Sequence, residues 1–167
     1  MGLSLRPAVA GDASVLAALS IEVWLSTYIK RGITPEFADY VLSAHTAEHF
    51  EALIADPAQR IVVSENVEGI DGFVRVAEGC PDPVAGDVTV EIATLYVQPR
   101  HHGRGVGKAL LAAALEGQTG PVWVATNSEN TPAIEFYLRN GFTRIGVTHF
   151  TLGEAAYPND VFRWDPV

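Results

Sequence analysis

The segment at residues 88–115 constrains the fold of this chain most, because it combines an apolar strand, a glycine-rich turn and an apolar helix. Residues 88–97 are apolar at nearly every position, which is typical of a central strand covered on both faces. Apolar residues then recur at helical spacing from Val106 to Leu115. The sequence therefore predicts strand, turn and helix in direct succession.

The turn contains three glycines, at positions 103, 105 and 107, and is suited to bind an anion. Without side chains, backbone N–H groups can approach an anion at the start of a helix, where the helix dipole also favours negative charge. Residues 98–108 hold three Lys or Arg residues, two His residues and no acid. Arg104 and Lys108 either add charge to this site or are solvated on the helix surface, and the sequence leaves both interpretations open.

Two common phosphate-binding motifs do not fit this turn. A Walker loop requires glycine at position 102 and Ser or Thr at position 109, where this chain has His102 and Ala109. A dinucleotide-binding fingerprint that begins at Gly103 requires glycine where the chain has Lys108. The sequence thus disfavours a nucleoside triphosphatase and a dinucleotide-dependent enzyme.

Helix and strand patterns alternate along the rest of the chain. The first predicted helix is capped by Asp12 and ends near residue 30. Two more helices follow, capped by Thr34 and Thr46, and a fourth is predicted at Thr131–Arg139. Strands are predicted at Leu3–Arg6, Ile61–Ser64, Ile70–Val76, Val122–Ala125, Phe142–Thr148 and Val161–Trp164, with an exposed loop at 79–87. This order predicts a mixed α/β fold with helices on both sides of a partly antiparallel sheet. A length of 167 residues fits one domain, which we place at residues 1–167.

The net charge of −9 is unevenly distributed along the chain. Residues 1–91 hold 14 acidic and 5 basic side chains, whereas residues 92–167 hold 6 of each. A protein that tracks nucleic acid needs a basic face to neutralise phosphates, so we expect no nucleic-acid partner. An acidic field favours an amine substrate instead.

Membrane, disulfide and metal signatures are all missing from the sequence. No apolar run approaches the roughly 18 residues of a membrane span, and the amino-terminal residues lack a basic region followed by an apolar core. We therefore expect no membrane partner and a cytoplasmic protein. Cys80 is the single cysteine, which excludes an internal disulfide. His45 and His49 lack an identifiable third ligand, so we expect no bound metal.

The run LYVQPRHHGRGVGKALL, residues 95–111, closely resembles the coenzyme A motif of the GNAT superfamily of N-acetyltransferases. A second motif, with the Asn-x-x-Ala, Tyr and Gly-Phe pattern of that superfamily, follows at the usual spacing in Asn130, Ala133, Tyr137 and Gly141-Phe142. One residue departs from the pattern, because the superfamily commonly has Gln or Arg where this chain has His102. The specific resemblance covers about residues 88–142.

The resemblance implies a GNAT-like mixed α/β fold, with a mostly antiparallel twisted sheet, splayed central strands and helices on both faces. It also implies acetyl-CoA as co-substrate, with the pyrophosphate on the amides of Gly103–Lys108 and the pantetheine arm along the backbone of Leu95 and Val97. The residues implied to bind the coenzyme are Leu95, Tyr96, Val97, His102, Gly103, Arg104, Gly105, Val106, Gly107, Lys108, Asn130 and Tyr137. Relatives are often dimers, so a homodimer is a further expectation.

Two residues are candidates for catalysis. By resemblance, Tyr137 occupies the position of a general acid that protonates the departing thiolate. The alternative is that Tyr137 packs its helix against the sheet. Glu91 is a candidate base, because it is the only carboxylate in the apolar central strand and related enzymes often place a glutamate there. Alternatively, Glu91 reaches solvent near the start of the strand and pairs with a cation.

Three further residues are candidates for binding. Asn130 either contacts the coenzyme or caps the helix that follows it, and these roles are compatible. Trp24 and Tyr28 share one face of the first helix, which in this superfamily often borders the acceptor pocket. They are therefore candidate substrate-binding residues, although their spacing alone indicates only an amphipathic helix, and such residues more commonly pack in a core.

These features predict an enzyme that transfers an acetyl group from acetyl-CoA to a primary amine of a small molecule by direct attack in a ternary complex. A peptide amine is the second choice of acceptor, and transfer of a longer acyl chain stays open. The alternative from a different functional class is a catalytically inactive coenzyme A-binding sensor or interaction module, which the unusual His102 motivates.

Overall fold

The structure is a computed structural model that describes residues 2–167. The helices are α1 (Ala13–Tyr28), α2 (Pro35–Ala44), α3 (Ala47–Ala55), α4 (Val106–Leu115) and α5 (Thr131–Arg139). The strands are β1 (Ser4–Pro7), β2 (Gln59–Glu65), β3 (Ile70–Glu78), β4 (Val90–Val97), β5 (Val122–Asn127), β6 (Thr143–Leu152) and β7 (Ala155–Trp164). Short 3₁₀ turns lie at Ala10–Asp12 and Pro99–His101. None of the helices in this described range is long and apolar enough to cross a membrane.

The seven strands form one mixed sheet in the order β1-β2-β3-β4-β5-β7-β6. β4 is the middle strand, as its apolar run predicts. β1 pairs antiparallel with β2, and β5 and β6 both pair antiparallel with β7. β4 pairs parallel with β5, with Glu91 opposite Trp123. The predicted mixed α/β class with a mostly antiparallel sheet is confirmed.

The chain divides into two compact units. The first is built from the residues up to Val76 together with Thr94–Glu116, and the second from Ala77–Ala93 together with Gly117–Val167. β3 and β4 therefore contribute residues to both units. The single domain over residues 1–167 stays a prediction.

In the first unit, α1 and α3 cover one face of the sheet. Leu16 of α1 and Phe50 of α3 pack in one apolar core with Ile61 of β2 and Phe73 of β3. The rings of Phe50 and Phe73 meet edge to face, with centroids 5.9 Å apart. Burial of large apolar side chains of this kind stabilises a fold by roughly 1.5–3 kcal/mol each.

α4 covers the opposite face of the sheet. Successive side chains of a strand point to opposite faces, so Arg60 and Gly72, which directly precede the core residues Ile61 and Phe73, face away from that core. The guanidinium of Arg60 donates to the carbonyls of Ala113 and Ala114 in α4, at 3.0 and 2.8 Å. Gly72 faces the side chain of Leu110, which also belongs to α4. Helices therefore lie on both faces of the sheet in this unit, as predicted.

In the second unit, β7 is covered on both faces. On one face, the ring of Tyr137 in α5 lies 6.1 Å from that of Phe162, centroid to centroid. On the other face, Val161 packs with Trp123 of β5 and with Val88. Neighbouring residues of β7 thus enter two different apolar clusters.

The loop predicted at 79–87 is organised around Asp82, whose side chain is buried. The carboxylate of Asp82 accepts hydrogen bonds from the N–H groups of Val84, Ala85 and Val88, at 2.8 to 3.0 Å. Burial acts to raise the pKa of Asp82, but the backbone N–H groups outweigh it and hold the pKa well below its usual range. Val88 therefore belongs to the loop, and β4 begins two residues later than predicted.

Of the caps predicted for the first three helices, two are confirmed. The hydroxyl of Thr34 accepts from the N–H of Phe37 at 3.3 Å and caps α2. The hydroxyl of Thr46 accepts from the N–H of His49 at 3.1 Å and caps α3. Each threonine satisfies one of the amides that lack a partner at the start of a helix.

The third predicted cap is wrong. Asp12 directly precedes α1, but its side chain makes no hydrogen bond to the amides of that helix. Its carboxylate instead pairs with the guanidinium of Arg6 at 2.8 Å and accepts from the N–H of Val9 at 2.8 Å. The hydrogen bond from Arg6 lowers the pKa of Asp12. A charged donor forms a stronger hydrogen bond than a helix amide, so Asp12 is used for the ion pair.

The structure departs from the predicted strands in two places. β6 and β7 form a longer hairpin than predicted, with ten residues in each strand. Pro158 lies within β7, and a proline among polar residues conceals a strand pattern. In β4, only Ile92 and Val97 are buried and the other positions are half-buried. No position of β4 is exposed, but the strand is less completely buried than its apolar run suggests, because apolar and β-branched residues also reflect strand propensity.

Replacement of Gly72 tests the packing between β3, β4 and α4. A Cβ atom at this position would lie 2.9 Å from the carbonyl oxygen of Tyr96 and 3.2 and 3.3 Å from the side chains of Leu110 and Val106. A backbone carbonyl cannot give way as a side-chain end can. We therefore expect Gly72→Ala to lower the free energy of unfolding by about 1–3 kcal/mol in urea titration. Gly32→Ala is the control, because a Cβ there meets nothing within 4 Å. Equal stability of the two variants would contradict the close packing at Gly72.

Candidate functional site

The turn between β4 and α4 has a left-handed backbone at two glycines. The φ angle is +76° at Gly103 and +84° at Gly105. Residues with a side chain rarely adopt such angles, whereas glycine adopts them freely. A Cβ atom at either position would meet nothing within 4 Å, so the backbone angle and not lack of space requires glycine. The predicted glycine-rich turn is thus confirmed.

α4 begins directly after this turn without a side-chain cap. Gly105 is its N-cap residue and has no side chain to accept from the amides of the first turn. These amides lack partners within the helix, and the helix dipole adds partial positive charge. Arg104 and Lys108 are exposed beside them, and within residues 2–167 neither is part of an ion pair. The arrangement can bind an anion such as a phosphate group.

His102 fastens this turn to the end of β4. Its Nε2 atom lies 2.9 Å from the carbonyl oxygen of Val97. A carbonyl oxygen only accepts, so Nε2 carries the proton and donates it. The residue that departs from the superfamily pattern therefore contacts the protein backbone with its side chain.

A second fastening comes from α1. The carboxylate of Glu22 accepts from the side-chain amide of Gln98 at 2.8 Å and from the guanidinium of Arg100 at 3.1 Å. The N–H of Gln98 also donates to the carbonyl of Asp71 in β3, at 2.9 Å. Sequence reasoning missed Glu22, because it is 76 and 78 positions away from its two partners and no local pattern connects them.

The predicted coenzyme-binding residues of β4 differ in their surroundings. Leu95 is half-buried and Val97 is buried. The ring of Tyr96 packs edge to face against Phe73, with centroids 5.9 Å apart, on the face of the sheet that α1 and α3 cover. Burial, and then the nearby phenol of Tyr28, raises the pKa of Tyr96 well above its usual range. The side chain of Tyr96 is therefore part of the core.

Trp24 and Tyr28 lie in an aromatic cluster formed by α1 and α2. Trp24 is 4% exposed, and its ring centroid lies 4.6 Å from that of Tyr28. Phe37 and Tyr40 of α2 complete the cluster, at 5.4 and 5.2 Å from Trp24. Burial, and then the neighbouring Tyr40, raises the pKa of Tyr28. Sequence reasoning missed the two α2 residues, although their spacing of three places them on one face of a helix.

His45 follows α2 and packs edge to face on Tyr40, with ring centroids 6.3 Å apart. Its Nε2 atom is buried, and no residue of the described range donates to it or accepts from it. Burial, and then the nearby His49, lowers the pKa of His45. Among residues 2–167, no group of three His, Cys, Asp or Glu side chains is placed to hold a metal ion.

The two candidate catalytic residues both belong to the second unit. Glu91 is half-buried in β4, opposite Trp123 of β5. Tyr137 is 6% exposed in α5, and its ring contacts Phe142 and Phe162, at centroid distances of 5.3 and 6.1 Å. The predicted packing of Tyr137 between its helix and the sheet is confirmed. Its role as an acid stays a prediction.

Asn130 also belongs to the second unit and lies at the start of α5. Its side-chain oxygen accepts from the N–H of Ala133 at 3.3 Å. Its predicted role as a helix cap is therefore confirmed. Contact with a coenzyme stays a prediction for this residue.

Comparison with known proteins identifies a family for this chain. A model of the GNAT acetyltransferase domain matches residues 56–144. An uncharacterised N-acetyltransferase of Mycobacterium tuberculosis is 30% identical over 154 residues, which cover 89% of this chain and 94% of that protein. The streptothricin acetyltransferase of Streptomyces lavendulae is 32% identical over 98 residues, which cover 50% of this chain and 52% of that enzyme.

The fold has counterparts among solved structures. The PaiA N-acetyltransferase of Thermoplasma acidophilum, crystallised in complex with coenzyme A, superposes with a TM-score of 0.76. The superposition covers 99% of this chain and 100% of that chain, with 15% sequence identity. At this identity the likeness is one of fold.

Replacement of His102 tests whether its side chain orders the turn. His102→Ala removes the donor to Val97, so we expect the backbone amides of His101 and His102 to exchange with solvent several-fold faster. The free energy of unfolding should fall by about 0.5–1.5 kcal/mol, the usual net value of one hydrogen bond. His101→Ala is the matched control, because the side chain of His101 makes no hydrogen bond within residues 2–167. Unchanged exchange in His102→Ala, measured by NMR or mass spectrometry, would overturn this role.

Proposed function

We propose that this protein, which belongs to the GNAT acetyltransferase family, transfers an acetyl group from acetyl-CoA to a primary amine of a small molecule. The observation that supports coenzyme binding most is the uncapped start of α4 behind the left-handed turn at Gly103 and Gly105. The complex of the PaiA acetyltransferase with coenzyme A supports the same ligand. Acetyl-CoA supplies a thioester, which is already reactive toward a neutral amine.

The proposed coenzyme contacts follow from this turn. The amides of Gly103–Lys108 bind the pyrophosphate, and Arg104 and Lys108 add positive charge to it. The backbone of Leu95 and Val97 binds the pantetheine arm, while Tyr96 supports it from the core. His102 contributes by holding the turn, and Asn130 contributes a contact in addition to its cap.

The chemical step requires a neutral amine, a polarised acetyl carbonyl and a proton for the departing sulfur. Tyr137 holds that proton on its phenol oxygen and donates it to the thiolate as the bond between carbon and sulfur breaks. Glu91 removes one proton of the incoming ammonium group through water. The nitrogen loses a second proton as the amide forms, and this proton returns the phenolate of Tyr137 to a phenol. Burial of the Tyr137 ring supports this role, because packing against Phe142 and Phe162 restricts the direction of its hydroxyl.

The acceptor is proposed to be a small molecule that carries a primary amine. The half-buried ring of Tyr28 borders its site, with the buried ring of Trp24 packed behind it, and an aromatic ring favours an organic cation. The net charge of −9 attracts cationic amines. The similarity to a streptothricin acetyltransferase, which is named for a small-molecule acceptor, supports this choice. A peptide amine is the second choice.

The remaining parts of the proposal concern the setting of the enzyme. We propose one functional domain over residues 1–167, a cytoplasmic location and a homodimer. Nucleic acid, membranes and metal ions have no part in the proposed reaction. The second candidate function is a coenzyme A sensor without catalysis. It is favoured by His102, which stands where the superfamily commonly has Gln or Arg and whose side chain donates a hydrogen bond to the carbonyl of Val97.

The experiment that tests the proposed function measures thiol release from acetyl-CoA with a panel of acceptors. The panel contains polyamines, amino acids, aminoglycosides, streptothricin and peptide amino termini, and calorimetry measures coenzyme binding in parallel. Turnover with small amines is the expected result. Binding without turnover across the panel would favour the sensor, and the lack of any binding would refute the proposal.

Tyr137→Phe tests the general acid. Removal of the hydroxyl leaves the ring packing intact, so we expect kcat to fall by about 10²–10⁴-fold, the usual contribution of a general acid. The Kd for acetyl-CoA should stay near that of the unmodified protein. Tyr157→Phe, which removes a phenol from β7, is the control and should retain activity. Unchanged kcat in Tyr137→Phe would remove Tyr137 from the mechanism.

Glu91→Gln tests the base through its pH dependence. At high pH the amine loses its proton without help, so a base is needed less. We therefore expect the loss of kcat/KM in Glu91→Gln to be greatest near neutral pH and to shrink as pH rises. Glu135→Gln, which neutralises an exposed acid of α5, should follow the profile of the unmodified protein. A defect of constant size at every pH would assign Glu91 to structure instead.

A further inference from the structure

Glu22 connects α1 to the segment that leads from β4 into the glycine-rich turn. Its two carboxylate oxygens have different partners in this segment. One accepts from the side-chain amide of Gln98 at 2.8 Å, and the other accepts from the guanidinium of Arg100 at 3.1 Å. The single carboxylate thus holds both ends of a three-residue stretch.

The other fastenings of this segment come from strands. The N–H of Gln98 donates to the carbonyl of Asp71 in β3, and the side chain of His102 donates to the carbonyl of Val97 in β4. Glu22 adds a fastening from a helix on one face of the sheet. Gln98 is therefore held through its backbone and through its side chain at once, which restricts the direction in which the chain leaves β4.

Glu22 pairs with only one of the positively charged residues of the segment. Of the three Lys and Arg residues in 98–108, Arg100 is paired with Glu22, whereas within residues 2–167 Arg104 and Lys108 are unpaired. The charge of Arg100 is balanced by a solvent-exposed ion pair with Glu22. Arg104 and Lys108, on either side of the start of α4, are the two cations that stay available to an anion.

We infer that Glu22 is a positioning residue for the coenzyme-binding turn, an inference that rests on the proposed function. Glu22 orders the segment before the coenzyme binds, and it does not touch the reacting atoms. When only a fraction of the molecules holds the turn in the competent arrangement, the apparent dissociation constant rises by the inverse of that fraction. Loss of Glu22 therefore weakens acetyl-CoA binding and leaves kcat at saturation unchanged.

The experiment measures four variants in the full-length protein. Glu22→Ala removes both hydrogen bonds, and Glu22→Gln removes the charge and one of the two acceptor oxygens. Gln98→Leu removes one partner, alone and combined with Glu22→Ala. The Kd for acetyl-CoA is measured by calorimetry, and KM and kcat by thiol release. Glu51→Gln, an exposed acid of α3, is the matched control for loss of one negative charge.

We expect Glu22→Ala to raise the Kd and KM for acetyl-CoA by about threefold to tenfold, the effect of losing one or two modest hydrogen bonds. Glu22→Gln should have a smaller effect, because its amide oxygen still accepts from Gln98. The Kd of the double variant for acetyl-CoA should be close to that of Glu22→Ala, because both changes break the same hydrogen bond. The midpoint of thermal unfolding separates loosening of the turn from loss of the fold.

Three outcomes would overturn the inference about Glu22. They are an unchanged Kd in Glu22→Ala, a fall in kcat with an unchanged KM, and fully additive effects of Glu22→Ala and Gln98→Leu. If the unmodified protein and Glu22→Ala bind acetyl-CoA equally well, the role of Glu22 is overturned and the proposed function is not. An unmodified protein that binds no acetyl-CoA overturns the proposed function, and the inference with it.

Discussion

The left-handed backbone at Gly103 and Gly105 is the constraint on which the rest of the candidate site depends. It lets α4 begin directly behind β4 with amides that no side chain caps. The scaffold around the turn keeps α4 in place, since Arg60 bonds to its last carbonyls and Gly72 allows its side chains to approach the sheet. Glu22 then holds the segment that enters the turn from the other side of the sheet. The candidate anion site thus depends on backbone geometry, and the side chains of Arg60 and Glu22 hold that geometry.

The parts of the fold that could be predicted from the sequence are those with strong local signals. α5 was predicted at its observed bounds, because Asn130 and Pro132 mark its start and glycine follows its end. α4 was equally clear from its apolar spacing after the glycines. β7 was predicted only from Val161 onward, because Pro158 and its polar neighbours resemble a loop. The strand nevertheless pairs with β6 from Ala155 to Arg163. Pairing between strands is a tertiary property, and it overrides local propensity at such positions.

In the candidate site too, features with local sequence signals could be predicted and tertiary contacts could not. The turn and its glycines could be predicted, because the required backbone angles restrict the residue type. The fastenings of the turn could not, since the bonds from Glu22 to Gln98 and Arg100 join residues far apart in the chain. The aromatic cluster around Trp24 was predicted in part, and Phe37 joins it only through the packing of α2 on α1. Such contacts become visible only once the elements have been placed in space.

A crystal structure of the complex with coenzyme A is the most direct test of the central claim that the turn binds the coenzyme. The account predicts that pyrophosphate oxygens lie within hydrogen-bond distance, about 3.2 Å or less, of backbone amides in Gly103–Lys108. It also predicts that Arg100 remains paired with Glu22 in the complex, while Arg104 and Lys108 turn toward the phosphates. A coenzyme bound elsewhere, with these amides facing solvent, would contradict the account.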